Sequence, residues 1–277
     1  MIEIDNLCFS YNKKHKLINN LNLTLKTGNI YGLLGKNGAG KTTLLKLIAG
    51  MLFPKSGYCS INGFNISKRQ PKALSSIYFI PEEFELTGSS PNEFANMQKF
   101  FYKNYNHAEY QNYLNTFGVN PDAAIKALSF GQKKQVLISF GLATNTKYLI
   151  LDEPTNSLDI PSKSILRKLL ASAINEQRSF IISTHQIRDL DSMIDPIIIM
   201  DDGKIVFHEN SENIIKKLTF KTVENANGDN VVWAEKKLAA YNAICKNTNN
   251  EFTNPDLELL FNGVIEKTRE FESIFKK

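Results

Sequence analysis

Residues 35–42 read Gly-Lys-Asn-Gly-Ala-Gly-Lys-Thr, the complete spacing G-x-x-x-x-G-K-T. Each part has a chemical reason. Glycines let a loop curl so that its backbone N–H groups point inward at phosphate oxygens. A helix that opens directly after the loop adds the positive end of its dipole. Lys41 can reach a β/γ-phosphate as a point charge, and the Thr42 hydroxyl can ligate Mg2+. Gly35, Lys36, Asn37, Gly38, Ala39, Gly40, Lys41, Thr42 and Thr43 are therefore the candidate phosphate contacts. A second cluster, Tyr-Leu-Ile-Leu-Asp-Glu-Pro at 148–154, is an apolar strand running into two carboxylates. In an open α/β sheet that strand edge is where ligands bind. Asp152 is expected to hold Mg2+ through water, and Glu153 to polarise a water beside the γ-phosphate.

The elements that must carry these groups are legible around them. Residues 2–9 and 21–25 alternate apolar and polar, as half-buried strands do. The run 30–34 is a short apolar strand, and KTTLLKLIAG after the loop is helical, ending at Gly50. Further strands are expected at 58–61, 77–80, 148–151, 180–183 and 197–200. A helix is expected over 161–174, and Asp201-Asp202-Gly203 turns into a hairpin strand at 204–207. Strands alternating with helices imply a mostly parallel sheet. Between about 87 and 127 strands vanish and Phe, Tyr and Asn dominate, so a helical subdomain is inserted, over about 87–143, with Phe94, Met97 and Phe101 on one helix face. Beyond about 211 the periodicity weakens. Short strands are expected at 231–233 and 241–245, and one helix over 257–275 capped by Asp256.

Composition bounds the class. The chain has 277 residues, 42% apolar and 22% charged, as in an ordinary globular protein. A net charge of +5 is too small to argue for nucleic acid, though it suits an anionic ligand or membrane surface. Cys8, Cys59 and Cys245 are far apart and odd in number, which argues against a disulfide framework or zinc cluster and fits a reducing compartment. The opening MIEIDNLCFSY carries acidic residues and no long apolar stretch, so no secretory signal is expected. The apolar runs fall short of the roughly 18 residues of a membrane span.

Several further motifs, in order, make the chain resemble the ATP-binding cassette (ABC) family over residues 1 to about 210. Leu-Ser-Phe-Gly-Gln at 128–132 is similar to its signature sequence, and Asn-Ser-Leu-Asp at 156–159 to its D-loop. His185 ends the strand SFIISTH where the family has its switch histidine. Tyr11 matches the aromatic that stacks on adenine, and Pro81-Glu82 stands where the family has its Q-loop. The resemblance implies an α/β P-loop cassette with a mostly parallel core sheet, an antiparallel β part near the N-terminus, a short helical subdomain and a small α+β extension over 211–277. It implies ATP and Mg2+ as cofactors, Glu153, His185 and Lys41 as catalytic groups, and Thr42, Glu82 and Asp152 near the metal. Ser129, Gly131, Gln132 and Asp159 would contact nucleotide, Asp159 also capping the helix after it. Two positions depart from the family: Phe130 replaces the middle glycine of the signature, and Glu82 replaces the Q-loop glutamine.

In that family the signature lies far from the P-loop of its own chain, so two chains close head-to-tail over ATP. This implies a homodimer, or a pseudo-symmetric dimer with a related subunit. The implied function is the ATPase subunit of a transporter with a separate permease, peripheral on the cytoplasmic face of the cell membrane, with no nucleic acid bound. The Glu82 loop, the short insert and the C-terminal tail resemble the ABC-2 drug, lantibiotic or polysaccharide exporter branch. The alternative is a soluble ABC ATPase acting on ribosomes or DNA. The translation type should carry two cassettes and the repair type long coiled-coil heptads, neither of which is seen. A third class, a nucleotide switch without turnover, should lack Glu153 or His185, and both are present. Residues 211–277 would brace the dimer, dock a regulator or cap the sheet.

Overall fold

Apolar runs bounded by Gly, Pro and Asn become strands, and their register lines up one edge. The computed structural model describes residues 1–12, 16–228, 230–238 and 240–276. In chain order the first elements are β1 (Ile2–Phe9), β2 (Ile18–Leu25), β3 (Ile30–Leu34), α1 (Lys41–Ile48), β4 (Ser56–Ile61), β5 (Phe64–Asn65), α2 (Pro71–Leu74) and β6 (Ile77–Ile80). The helical insertion holds α3 (Pro91–Gln98), α4 (His107–Phe117) and α5 (Phe130–Ala143). Then come β7 (Tyr148–Asp152), α6 (Ile160–Ala173), β8 (Ser179–Thr184), β9 (Ile197–Asp201) and β10 (Lys204–Glu209). The last stretch holds α7 (Ser211–Lys217), β11 (Leu218–Val223), β12 (Val231–Lys237), β13 (Ala240–Lys246), α8 (Leu257–Glu266) and α9 (Thr268–Phe275).

The central sheet has the order β10-β9-β3-β8-β7-β6. Its pairs from β9 to β6 are parallel, and β10 closes one edge as an antiparallel hairpin strand. Parallel strands covered on both faces need apolar side chains in both directions. Leu34, Leu149, Leu151, Phe180 and Ile182 face the helical insertion. Tyr31, Leu33, Tyr148, Ile150 and Ile181 face α1 and the antiparallel sheet β2-β1-β4-β5. The period of two along each strand therefore splits the core into two layers. The third sheet, β11-β13-β12, packs with α8 beside β9 and β10.

Helix starts follow side-chain caps. Ser90, Asn106, Asp159, Asn210 and Asp256 each accept a backbone N–H from their own first turn. Ser129 and Gln132 form a reciprocal capping box at the start of α5.

Two expectations need correction. Met97 and Phe101 do not share a buried face with Phe94; they are 50% and 68% exposed. Helix α3 ends at Gln98 and tightens into a 3-10 turn over 99–101, which rotates Phe101 away from the core. Residues 257–275 are two helices, not one. The backbone leaves helical geometry at Lys267 (φ −125°), and Phe271 folds back into the space left beside Gly263. The pattern also gave no sign of α2, α7 and β11; β11 pairs with β13, whose partner residues come 18 to 28 positions later in the chain.

Phe140 of α5 is fully buried, with the rings of Tyr78, Phe94, Tyr102, Tyr105 and Tyr110 around it. Phe140→Ala should cost about 3–5 kcal/mol by cavity formation. Urea unfolding followed by circular dichroism checks this.

Candidate functional site

Four parallel neighbours end together. Register pairs Leu34 with Thr184, Asp152 with Ser183, and Ile80 with Leu151. The residues that follow, Gly35, His185, Glu153 and Pro81, thus leave the sheet at one edge. Four segments distant in sequence meet there because the strands are parallel and in step.

The Gly-rich loop leads from β3 into α1. Gly40 caps α1 with φ +105°, a conformation costly for any side chain with a Cβ. Lys41 is buried. Its Nζ donates to the Gly35 carbonyl at 2.7 Å and the Lys36 carbonyl at 3.3 Å, and lies 3.9 Å from Glu153 Oε1. Burial pushes its pKa down, opposed by the negative charges of Glu153, Asp152 and Glu82. A cavity of about 310 Å3 is lined by Lys36, Asn37, Gly38, Gly40, Lys41, Thr42, Thr43, Glu82 and Glu153, together with Leu17. Tyr11 stands beside it, 64% exposed, with its hydroxyl 3.2 Å from Thr43 Oγ1 and its ring edge-on to Phe9.

Glu153 sits in a left-handed turn (φ +45°), an uncommon state for a residue with a side chain. The turn is held by Glu153 N–H, which donates to the Ser183 carbonyl and hydroxyl at 3.1 and 3.2 Å. Its carboxylate meets His185: Nδ1 lies 2.8 Å from Oε1, and the His185 backbone N–H donates to Oε2 at 3.3 Å. This pair can orient a water and hold its proton. Asp152 is buried, with Oδ1 accepting from the Ser183 hydroxyl at 2.5 Å and Oδ2 buried without a partner. A buried carboxylate oxygen with no donor, beside Lys41 together with the carboxylates of Glu153 and Glu82, fits an Mg2+ that takes its remaining ligands from phosphate and water. Among the described residues no group of three or more His, Cys, Asp or Glu is arranged to hold an ion unaided.

Some expected neighbours lie elsewhere. His185 lines an adjacent cleft of about 570 Å3 with Gly35, Lys36 and Asn37 on one wall and Glu258 and Phe261 of α8 on another. Lys36 and Asn37 line both spaces, so the loop is the partition between them. Ser129, Gly131, Gln132 and Asp159 line a third cavity, of about 640 Å3, that shares no residue with the phosphate loop. There Gly131 lies so close to the D-loop that a Cβ would stand 2.7 Å from the Ser157 carbonyl oxygen.

The sequence reading missed several groups. Asn156 Nδ2 donates to Glu82 Oε1 at 2.6 Å, and Gln186 Nε2 donates to Asn156 Oδ1 at 3.2 Å, so the Q-loop, D-loop and switch segments are bridged. Ser183 was legible only through register, which sets it beside Asp152. Lys134 is fully buried, and burial pushes its pKa down to about 8.

A sequence profile described as "ABC transporter" matches residues 18–156. The lantibiotic transport ATP-binding protein SrtF of Streptococcus pyogenes is 31% identical over 219 residues, covering 77% of this chain and 94% of that protein. The methionine import ATP-binding protein MetN of Carboxydothermus hydrogenoformans is 32% identical over 224 residues, covering 74% of this chain and 65% of that protein. The dimeric cassette MJ0796, solved with ADP and Pi, shares the fold with a TM-score of 0.66 at 22% identity, over 76% of this chain and 98% of that one.

Ser183→Ala removes the donor to Asp152 and one acceptor of the Glu153 amide. It should slow nucleoside triphosphate turnover by roughly tenfold, the loss of about 1.4 kcal/mol, while binding stays within about twofold. Steady-state hydrolysis and calorimetric titration measure the two separately.

Proposed function

This chain belongs to the ABC transporter ATP-binding proteins, and from that membership we propose that it powers export through a separate membrane permease by ATP-driven closure of two cassettes. Its membership makes it an ATP-binding, ATP-hydrolysing subunit. One observation carries the catalytic reading: Glu153 Oε1 lies 2.8 Å from His185 Nδ1 and 3.9 Å from Lys41 Nζ, at the lip of the phosphate-loop cavity.

In this reading the loop amides, Lys41, Thr42 and Thr43 bind the triphosphate, and the Tyr11 ring stacks on adenine. Glu153 orients the attacking water and accepts its proton. His185 holds that carboxylate in place and stands at the γ-phosphate. Thr42, Asp152 and Glu82 would hold Mg2+, which when bound neutralises phosphate charge and polarises the γ-phosphoryl group.

Ser129, Gly131, Gln132 and Asp159 line a cavity apart from the phosphate loop, which supports a role toward a second subunit's nucleotide rather than their own. Two copies, or this chain and a related subunit, would pair head-to-tail in a two-fold arrangement. Hydrolysis would then release them.

The export direction rests on the resemblance of the Glu82 loop, the short insert and the C-terminal tail to the exporter branch; the relatives named above include a lantibiotic transport protein and a methionine import protein. The chain spans 94% of the lantibiotic transport protein but 65% of the methionine import protein. Among the described residues no helix is long and apolar enough to cross a membrane. In the proposed reading the permease would be another chain, holding this one on the cytoplasmic face. Residues 1–210 would be the cassette, with the helical subdomain at 87–143 inserted, and 211–277 a small α+β extension.

Glu153→Gln should lower turnover by about 10²-fold or more while retaining ATP, so that a dimer accumulates. Tagged Glu153→Gln protein, purified with ATP and Mg2+ from detergent-solubilised membranes of its host, should bring down a stoichiometric polytopic membrane protein. Ribosomal proteins or nucleic acid in its place would favour a soluble ATPase.

A further inference from the structure

The hairpin turn between β9 and β10 reaches the phosphate loop from behind. Asp202 and Gly203 both have positive φ (+41° and +71°), as a two-residue turn between antiparallel strands requires. Of the two, only the glycine is buried. Its N–H donates to the Ala39 carbonyl of the phosphate loop at 3.2 Å. Its carbonyl accepts the Asn19 N–H of β2 at 3.4 Å. One residue thus joins two segments that are distant in sequence. The β2 side leads back to Tyr11. Leu17, just before β2, donates its N–H to the Phe9 carbonyl at 3.0 Å, and Tyr11 rests edge-on against the Phe9 ring. Leu17 also lines the phosphate-loop cavity. Tyr11, Leu17 and the start of β2 form one arm of the site, and residues 35–42 form the other.

The junction of the arms leaves no room for a side chain. A Cβ on Gly203 would overlap the Leu17 carbonyl oxygen and stand 3.2 Å from Ile18 Cα. A Cβ on Gly40 would stand 2.9 Å from Met200 Cε of β9 and 3.7 Å from the same Leu17 oxygen. One on Gly35 would stand 2.6 Å from the Met200 carbonyl oxygen. Strand β9 and its turn therefore meet both arms mostly through backbone. Backbone atoms cannot swing aside as the end of a side chain can, so close packing here sets how far apart the arms stand.

We propose that Gly203 fixes the spacing between the base-stacking arm and the phosphate loop, so that one nucleotide engages both at once. The proposal rests on the reading above in which Tyr11 stacks on adenine. Gly203 acts through Leu17 and Ala39, so it is a positioning residue. A side chain at 203 pushes on Leu17 rather than on the loop. The bond to the Ala39 carbonyl comes from the Gly203 N–H, which every residue except proline keeps. The base arm is displaced and the phosphate loop is not. The loss therefore falls on the adenosine part of the ligand and spares its phosphates.

The test titrates ADP and inorganic pyrophosphate, each with Mg2+, into the full chain by calorimetry; neither ligand is turned over. Wild type is compared with Tyr11→Ala, Gly203→Ala, Gly63→Ala and Asn19→Pro. Gly63 has φ +81° and open space where a Cβ would stand, so Gly63→Ala reproduces the backbone strain without the collision. Wild type and Gly63→Ala should prefer ADP to pyrophosphate equally. Tyr11→Ala and Gly203→Ala should each weaken ADP by about tenfold, the scale of one base stacked on an aromatic ring, with pyrophosphate held within about twofold. Combining them should cost little more than either alone, because the same contact is lost once. Asn19→Pro removes the N–H donated to Gly203 and should reduce the preference for ADP by about threefold.

A folded Gly203→Ala protein with the wild-type preference for ADP would overturn the proposal. So would one that loses ADP and pyrophosphate alike, since a merely structural defect at the phosphate loop does that. Asn19→Pro carries the same test if Gly203→Ala melts early, with circular dichroism reporting the fold. A wild-type chain that binds pyrophosphate as tightly as ADP, or a Tyr11→Ala chain with unchanged ADP binding, would overturn the base-stacking reading and the proposal with it.

Discussion

A buried ammonium is expensive unless oxygen surrounds it. Lys41 is in that position: desolvated, and facing Glu153, Asp152 and Glu82 as compensating charges. Its donors rest on the Gly35 and Lys36 carbonyls of its own loop. That arrangement makes the site an anion trap that is already built. A phosphate oxygen entering between those carbonyls and Glu153 meets a charge whose burial cost the fold has already met. The rest of the structure serves this placement. The parallel register must end β3, β8, β7 and β6 in step, or the three carboxylates would not converge on one lysine. The left-handed turn at Glu153 is tolerated because Ser183 holds its amide from the neighbouring strand.

The same charge economy bears on the two departures from the family pattern. Glu82 adds a third negative group at the phosphate-loop cavity, which alone would oppose an anion there. Its Oε1 is held by Asn156, its backbone carbonyl accepts from a second buried cation, Lys134, and Lys41 lies across the cavity. Phe130 gains a contact with Phe84 that a glycine could not make.

Much of this was legible in the chain itself. The phosphate loop and the strand ends were readable because Gly and Pro bound short apolar runs, and because Asp-Glu after such a run falls at the ligand-binding edge. Asp159 was read as both D-loop residue and cap, and its cap is seen, on Ser162 N–H. What was not legible depends on contacts distant in sequence. Strand β11 looked irregular because its partner, β13, comes late. Phe101 fits a helical spacing, but the chain leaves the helix before reaching it. Lys134, in a Lys-Lys pair, reads as a solvated surface residue. Only the packing of α5 on all sides over 134–143 makes it a buried strut. Ser183 looks like any strand serine until register sets it opposite Asp152.

The central claim is that one chain's phosphate loop works with another chain's signature. Mixing two inactive variants tests it most directly. Lys41→Ala disables the phosphate loop, and Ser129→Asp keeps an N-cap residue at α5 while setting a carboxylate against the incoming phosphate. Each protein alone should have little ATPase activity. A mixed dimer contains one composite site with an intact loop and an intact signature, so mixing should restore hydrolysis to a substantial fraction of wild type. Activity that stays at the level of the separate variants, with mixed dimers present, would contradict the account and place both elements in the service of a single chain.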